Sequence, residues 1–154
     1  MKIRIDFVTN SSSSSFILGF KPGDNIAVEI ARKYDGEYLG NAVKEIKEHL
    51  YDPNNLSEDE KDEIDSLIDT EADWDLYCEL SNQHENPWKY EENHPEEYKR
   101  RKDEKADKYK EQIFNAGYDR ISVVEWEDHS TMGCELEHDV FPKLKNTIMR
   151  ISHH

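Results

Sequence analysis

The segment ISVVEW at residues 121–126 decides the fold class, because β-branched and aromatic side chains make it the clearest strand of the chain. Working outward, TIMRI at residues 147–151 and FILGF at residues 16–20 are short apolar runs of strand length. KIRIDF at residues 2–7 alternates apolar and polar side chains, which is the period of a half-buried strand. The predicted strands therefore come from both ends of the chain.

The first part of the middle region has helical patterns. Asp24 or Asn25 can begin a helix that Gly36 ends. Apolar residues spaced three and four apart over residues 43–50 predict a second helix before Pro53. Both helices are short and amphipathic, so each can cover part of a sheet.

The later part of the middle region is helical and charge-rich, over about 57–117. Ser57 and Glu60 form a capping box that begins a third helix, and apolar spacing over residues 74–80 indicates a fourth. Pro95 suits the start of a long charged helix that Gly117 ends.

These patterns together predict one α+β domain over residues 1–154. Its sheet is small, mostly antiparallel and built from the N-terminal and C-terminal strands. Four to five helices from the middle of the chain cover the sheet on one face.

The net charge of -15 is unevenly distributed along the chain. Residues 57–75 contain ten acidic residues against Lys61 alone, whereas residues 96–111 are nearly balanced and include the basic run 99–102. Both stretches are typical of solvated helix faces, and the acidic one also suits contact with a basic protein surface. Direct high-affinity binding of nucleic acid is disfavoured, because the phosphate backbone carries the same sign of charge.

The chain has features of a cytoplasmic protein. No apolar run has membrane-spanning length, and Met1 leads into a charged alternating segment instead of a signal-peptide pattern. Cys78 and Cys134 lie far apart without CxxC spacing, so neither a disulfide framework nor a cysteine-only zinc site is expected.

A tract of hydroxyl and amide side chains separates the first two predicted strands. It has neither the glycine-rich P-loop pattern nor the GxSxG motif, so its simplest interpretation is a polar turn. Its hydroxyls are also suited to binding an anion, and a serine nucleophile would need a base supplied by the fold. The candidate binding residues are Asn10, Ser11, Ser12, Ser13, Ser14 and Ser15.

Metal-capable side chains concentrate near the C-terminus, where four of the seven histidines lie. Imidazole with carboxylate suits a divalent metal such as zinc or manganese, and Glu137 and His138 are candidate general acid and base. No HExxH spacing is present, so a polar chain end stays the alternative. The candidate ligands are Asp128, His129, His138, His153 and His154, with Cys134 and Glu135 beside them.

Residues 6–17, DFVTNSSSSSFI, resemble the opening of a group of uncharacterised bacterial and phage proteins that begin DFVTNSSSSSF. The pair at residues 137–138 and the ending at residues 152–154 are also similar to the C-termini of some of them. The resemblance carries no activity. It implies a bacterial or phage origin, and it favours one site built by the two ends of the chain.

Two functions are consistent with these patterns. The first is a metal-dependent hydrolase or nuclease that uses the C-terminal cluster, with Arg100 and Arg101 steering substrate phosphates. The second is a non-enzymatic acidic protein of the phage or mobile-element type, whose residues 58–75 occupy a basic groove on a DNA-binding or other basic partner. Contact between residues 11–15 and the C-terminal histidines would support a single site.

Overall fold

The computed structural model describes residues 13–25, 37–127, 134 and 136–153. The strand predicted over residues 2–7 and most of the helix predicted over residues 24–36 lie outside these residues. In chain order the elements are β1 (Ser13–Phe20), α1 (Glu37–Glu48), β2 (Leu50–Tyr51), α2 (Glu58–Asn82), α3 (Pro87–Asn93), α4 (Pro95–Phe114), β3 (Arg120–Glu127) and β4 (Thr147–His153). A π-helical turn (Leu136–Val140) and a 3₁₀ turn (Phe141–Lys143) connect β3 to β4.

The predicted α+β class is confirmed, with one antiparallel sheet in the order β2-β3-β1-β4. β1 lies between β3 and β4, so the segments 121–126 and 147–151 are not paired with each other. β1 is almost wholly buried, and a central position satisfies its backbone on both sides. Since β3 and β4 both run antiparallel to β1, Glu127 and His153 both lie beside Ser13.

The serine tract is not a turn where the structure describes it. Residues 13–15 belong to β1, and each pairs with a residue of β3 and a residue of β4. The prediction of a polar turn is wrong for these residues, because two flanking strands supply backbone partners for them. Their side chains consequently enter the interior, where Ser14 and Ser15 are buried.

Helices cover both faces of the sheet instead of the single face that was expected. On one face, the α1 face, Phe16, Leu18 and Phe20 pack with Ala42 and Ile46. On the other, the α2 face, apolar side chains of three strands pack against α2 and α4. The strands contribute Ile17, Ile121, Val123, Met149 and Ile151, and the helices contribute Ile64, Ile68 and Ile113. A strand that is apolar at consecutive positions needs cover on both faces, which explains the run FILGF.

The helices differ from the predictions in their boundaries. The predicted third and fourth helices form one continuous helix, α2, whose capping box at Ser57 and Glu60 is present as predicted. α4 begins at Pro95 as expected and ends just before Gly117, whose φ of +84° favours glycine. Leu50 belongs to β2 instead of the second helix, and α3 was not predicted.

Beyond the sheet, α2 and α4 continue as a helical pair. Here Leu76, Leu80 and Tyr98 form a buried cluster of their own, with Tyr90 packed against it. We call residues 69–105 the distal hairpin. Because its cluster is separate from both sheet cores, it is held mainly by contacts within itself.

Candidate functional site

Six polar side chains lie in two groups, on opposite faces of the sheet, where the serines of β1 pair with the ends of β3 and β4. Successive side chains of a strand point to opposite faces, so Ser14 and Ser15 begin two different groups of contacts. We call this region the serine end; it comprises Ser14, Ser15, Glu137, His138, Arg150 and His153.

On the α1 face, Ser14 links the sheet to a buried carboxylate. Its hydroxyl donates to Glu137 Oε1 at 2.8 Å and accepts from Arg150 Nε at 3.2 Å. Arg150 Nη2 also lies 3.7 Å from Glu137 Oε1. Glu137 has no exposed surface, so the carboxylate anchors the π-helical turn to the sheet and does not face solvent.

His138 follows Glu137 and is the accessible member of this group. Its Nε2 lies 3.5 Å from Glu137 Oε2, and 42% of its side chain is exposed. The two residues predicted as general acid and base are therefore in contact, but only His138 is open to a ligand.

On the α2 face, Ser15 contacts a histidine from the far end of the chain. Ser15 Oγ lies 2.8 Å from His153 Nε2, across the diagonal of the β1 and β4 pairing. In the tautomer protonated on Nδ1, the hydroxyl donates to Nε2. This is the distance expected between a nucleophile and its general base.

A cleft of about 360 Å³ opens beside Ser15, between β3 and the helices α1 and α2. Its described lining residues include three carboxylates and no Lys or Arg, which favours a neutral or cationic ligand over a phosphate. Tyr51 donates to Glu63 at 3.3 Å, and burial followed by the charge of Glu63 raises the pKa of the tyrosine. The lining residues are Ser15, Glu45, His49, Tyr51, Glu63, Leu67, Val123, Val124 and Glu125.

Among the described residues, one group could hold a metal ion by the proximity of its ligand atoms. It comprises Glu45, Glu48 and His49, whose ligand atoms lie within 4.8 Å of one another at the end of α1. Neither His138 nor His153 belongs to it. The predicted ligands Asp128, His129 and His154 lie outside the described residues, so the metal site predicted from the sequence stays a prediction.

Arg100 and Arg101 lie in the distal hairpin and have acidic partners there. Arg100 forms ion pairs with Glu97 and Glu104 on its own helix. Arg101 Nη2 lies 2.8 Å from Glu79 and Nη1 lies 3.3 Å from the hydroxyl of Tyr90. Both arginines therefore already have acidic partners within the hairpin, and their steering of substrate phosphates stays a prediction.

The acidic stretch 57–75 divides into two parts in the structure. Glu58, Asp59 and Asp62 are exposed on the first turns of α2. Further along, Asp73 accepts from Tyr98 at 2.8 Å and Asp75 accepts from Tyr109. Only the beginning of the stretch is therefore an open acidic surface.

The contact that the sequence predicted between the two ends of the chain is present for the described residues. Ser14 and Ser15 meet Glu137 and His153, while Ser13 lies beside His153 in the sheet register. Asn10, Ser11, Ser12 and Glu135 lie outside the described residues.

Sequence reasoning missed some members of the site. The contacts of Arg150 with Ser14 and Glu137 were not predicted. Glu45 and His49, which line the cleft at the end of α1, were not singled out at all. Their spacing of four along a helix was the available signal, but such pairs are common on solvated helices.

Comparisons of the chain with protein-family models, with curated proteins and with solved structures found no match. Among the described residues, none of the helices has the length and apolar composition that a membrane span requires.

Proposed function

We propose that the protein is a hydrolase in which Ser15 is the nucleophile and His153 the general base. The observation that carries the proposal is the 2.8 Å contact between Ser15 Oγ and His153 Nε2 beside the cleft. Histidine is the commonest partner that activates a serine hydroxyl, and the triad logic requires the two groups within hydrogen-bond reach.

The proposed reaction is acyl transfer to water. Ser15 Oγ attacks an acyl carbon while His153 Nε2 takes the hydroxyl proton and then gives it to the leaving group. Water next attacks the acyl group on Ser15, losing its proton to His153, and the acid product leaves with the serine regenerated. Only 3% of Ser15 is exposed, so a substrate would approach from the side of the cleft.

The charge of the cleft narrows the substrate class. Glu45, Glu63 and Glu125 would repel a phosphate diester, which argues against the nuclease version of the hypothesis. A small neutral or cationic ester or amide is favoured instead.

A metal-dependent hydrolase uses the same histidine differently. A zinc or manganese ion bound to His153 Nε2 would displace the contact with Ser15, because that nitrogen has one lone pair. The geometry therefore favours the serine version. In the metal version His138 and His153 act as ligands together with Asp128, His129 and His154.

A fluorophosphonate probe, which reacts with activated serine hydroxyls, tests the proposal. We expect an adduct on Ser15 that is lost in Ser15→Ala, strongly reduced in His153→Gln and retained in Ser13→Ala, a matched change on the same strand and face. Absence of the adduct from folded protein, or an adduct that His153→Gln leaves unchanged, would contradict the serine mechanism.

Hydrolysis of p-nitrophenyl acetate with and without a chelator separates the two versions. Activity that survives the chelator supports Ser15. Activity that the chelator removes and zinc or manganese restores, together with stoichiometric metal in untagged protein, supports the metal version.

A second candidate function is non-enzymatic binding of a basic protein partner. The open acidic surface at Glu58, Asp59 and Asp62 favours it, because Asp73 and Asp75 further along α2 accept hydrogen bonds from tyrosines of α4. Such binding should weaken steeply with added salt and on reversal of these three charges to lysine. A basic peptide whose affinity is the same after added salt and after the charge reversals would count against this function.

A cytoplasmic location stays a prediction. Cys78 and Cys134 lie far apart in the sequence without CxxC spacing, and a reducing compartment would keep both as thiols. Mass spectrometry of alkylated protein taken from native cells would test it through the redox state of both thiols.

A further inference from the structure

The distal hairpin displays an exposed group of aromatic side chains. Trp74 and Tyr77 lie one turn apart on α2 with stacked rings, 5.2 Å between centroids and 8° between planes. Trp88 of α3 lies 6.2 Å from Tyr77 at 54°. Trp74 and Trp88 are 36% and 42% exposed, although tryptophan is usually well covered in a folded protein. We call these three residues the aromatic surface.

The aromatic surface is held in place from behind. Another side of α2 buries Leu76 and Leu80 against Tyr98. Asn86 Oδ1 accepts hydrogen bonds from the backbone N–H groups of Trp88 and Lys89, each at 3.1 Å, and this cap fixes the start of α3. The exposed rings are therefore preorganised, which lowers the entropy cost of binding a partner.

Acidic residues flank the aromatic surface. Glu71 precedes Trp74 by one helical turn, and the exposed Glu91 and Glu92 follow Trp88 by one turn. Lys89 is the basic residue beside them. Aromatic faces and carboxylates both attract cations, so the local chemistry is complementary to a positively charged group.

The same hairpin already contains an internal example of this recognition. The guanidinium of Arg101 lies 5.5 Å from the centre of the Tyr90 ring and 2.8 Å from Glu79 Oε1. One arginine thus contacts both the face of an aromatic ring and a carboxylate. Trp88, with the exposed Glu91 one turn further along α3, presents the same two features outward.

We propose that the aromatic surface binds an arginine-containing segment of a basic partner protein. A guanidinium stacks on an exposed indole while a neighbouring carboxylate accepts its N–H groups. Arginine is favoured over lysine because its planar, weakly hydrated head stacks on rings and bonds carboxylates in pairs. A second copy of this chain is a poorer occupant, since two chains of charge -15 repel each other.

This inference is independent of the Ser15 proposal and gives the second candidate function a specific surface. It differs from that candidate in placing the contact at Trp74 and Trp88 instead of at Glu58, Asp59 and Asp62. The acidic surface lies on the first turns of α2, whereas the aromatic surface lies on later turns of α2 and on α3, so their contributions can be separated.

The test uses a dye-labelled nine-residue peptide of alternating arginine and glycine, with fluorescence anisotropy as the measurement. We expect Trp74→Ala combined with Trp88→Ala to weaken binding about tenfold. Glu91→Gln with Glu92→Gln, which leaves the rings intact, should weaken it about threefold. Leu50→Ala, the matched removal of another exposed apolar side chain, should leave it unchanged.

The controls distinguish the two binding proposals. Equal affinity of the folded double tryptophan variant and the parent overturns the inference. If the affinity instead falls only with Glu58→Gln and Asp59→Asn, the second candidate stands without this surface. Equal binding of the lysine version of the peptide contradicts arginine stacking, and a dimer in sedimentation that the tryptophan changes abolish would replace the partner with a second copy.

Discussion

At the serine end, Ser14 bonds to Glu137 and Ser15 to His153, over separations of 123 and 138 residues, whereas in the distal hairpin Arg100 pairs with Glu97 and Glu104 within one helical turn. The long-range contacts are buried or partly buried and exist only when the sheet is assembled. The local pairs are exposed, and an isolated helix could form them. The buried contacts of the serine end are therefore expected to contribute more to stability than the exposed ion pairs of Arg100.

The largest effect is expected at Glu137. Glu137→Ala leaves Ser14 and Arg150 without their buried acceptor, so we expect the free energy of unfolding to fall by about 2–4 kcal/mol. Urea unfolding followed by circular dichroism measures it. The matched change in the distal hairpin, Glu104→Ala, should leave the midpoint of urea unfolding unchanged within error. Equal losses of stability in both variants would refute the difference between the serine end and the hairpin.

A smaller loss is expected where the sheet meets the segment before β3. A Cβ atom at Gly19 would lie 2.6 Å from atoms of the Tyr118 ring, so Gly19→Ala should cost about 1–3 kcal/mol. Thermal unfolding measures it. Combining Gly19→Ala with Tyr118→Ala should recover part of the loss. A double-mutant cycle in which the two changes show no coupling would mean that the ring moves aside freely.

In the hairpin, Glu71 should make stability depend on pH. Burial and then the charge of Asp75 raise the pKa of Glu71 from 4.5 to about 7. Between these pH values the native state therefore binds more protons than the unfolded state does. The free energy of unfolding consequently falls as pH rises through this window. Allowing for partial exposure, Glu71→Gln should stabilise the protein by about 1–2 kcal/mol at pH 8 and by almost nothing at pH 4.

Urea unfolding of the parent and of Glu71→Gln at several pH values measures this difference. Glu104→Gln is the control for loss of an exposed charge. If the free energies of unfolding of the parent and of Glu71→Gln change by the same amount between pH 5 and pH 8, Glu71 is not the cause of the pH dependence.

The smallest effect is expected at Arg100. Its ion pairs with Glu97 and Glu104 are exposed, so Arg100→Ala should leave the unfolding midpoint unchanged within error. A clear loss of stability that added salt abolishes would show that the hairpin depends on these pairs, and the comparison with the serine end would need revision.

The sequence predicted those elements whose patterns lie within a few neighbouring residues, and it failed where the partners are distant in the chain. β3 was predicted because its β-branched residues are a local pattern, and α4 because Pro95 and Gly117 mark its limits locally. Residues 13–15 were expected to form a turn, because serine alone favours turns and their strand partners lie more than a hundred positions away. The break expected within α2 is absent, because tertiary packing of Ala72, Leu76 and Leu80 continues the helix.

For the site, the sequence indicated the participants better than their contacts. The resemblance and the histidine count pointed to the two chain ends, and His153 and the serines do meet. The sequence could not show that Ser14 and Ser15 face opposite sides of the sheet, since that depends on register. Nor could it show that Arg100 and Arg101 already have partners.

The sequence by itself determined the α+β class, the principal strands, the capping of α2 and the uneven charge, because these follow from side-chain periodicity, caps and composition over a few residues. Only the tertiary structure decided that β1 is central, that Ser15 meets His153 and that Trp74 and Trp88 stay exposed. Each of these is an outcome of competition among distant segments for the same buried positions. A local sequence pattern does not determine which segment occupies the buried position.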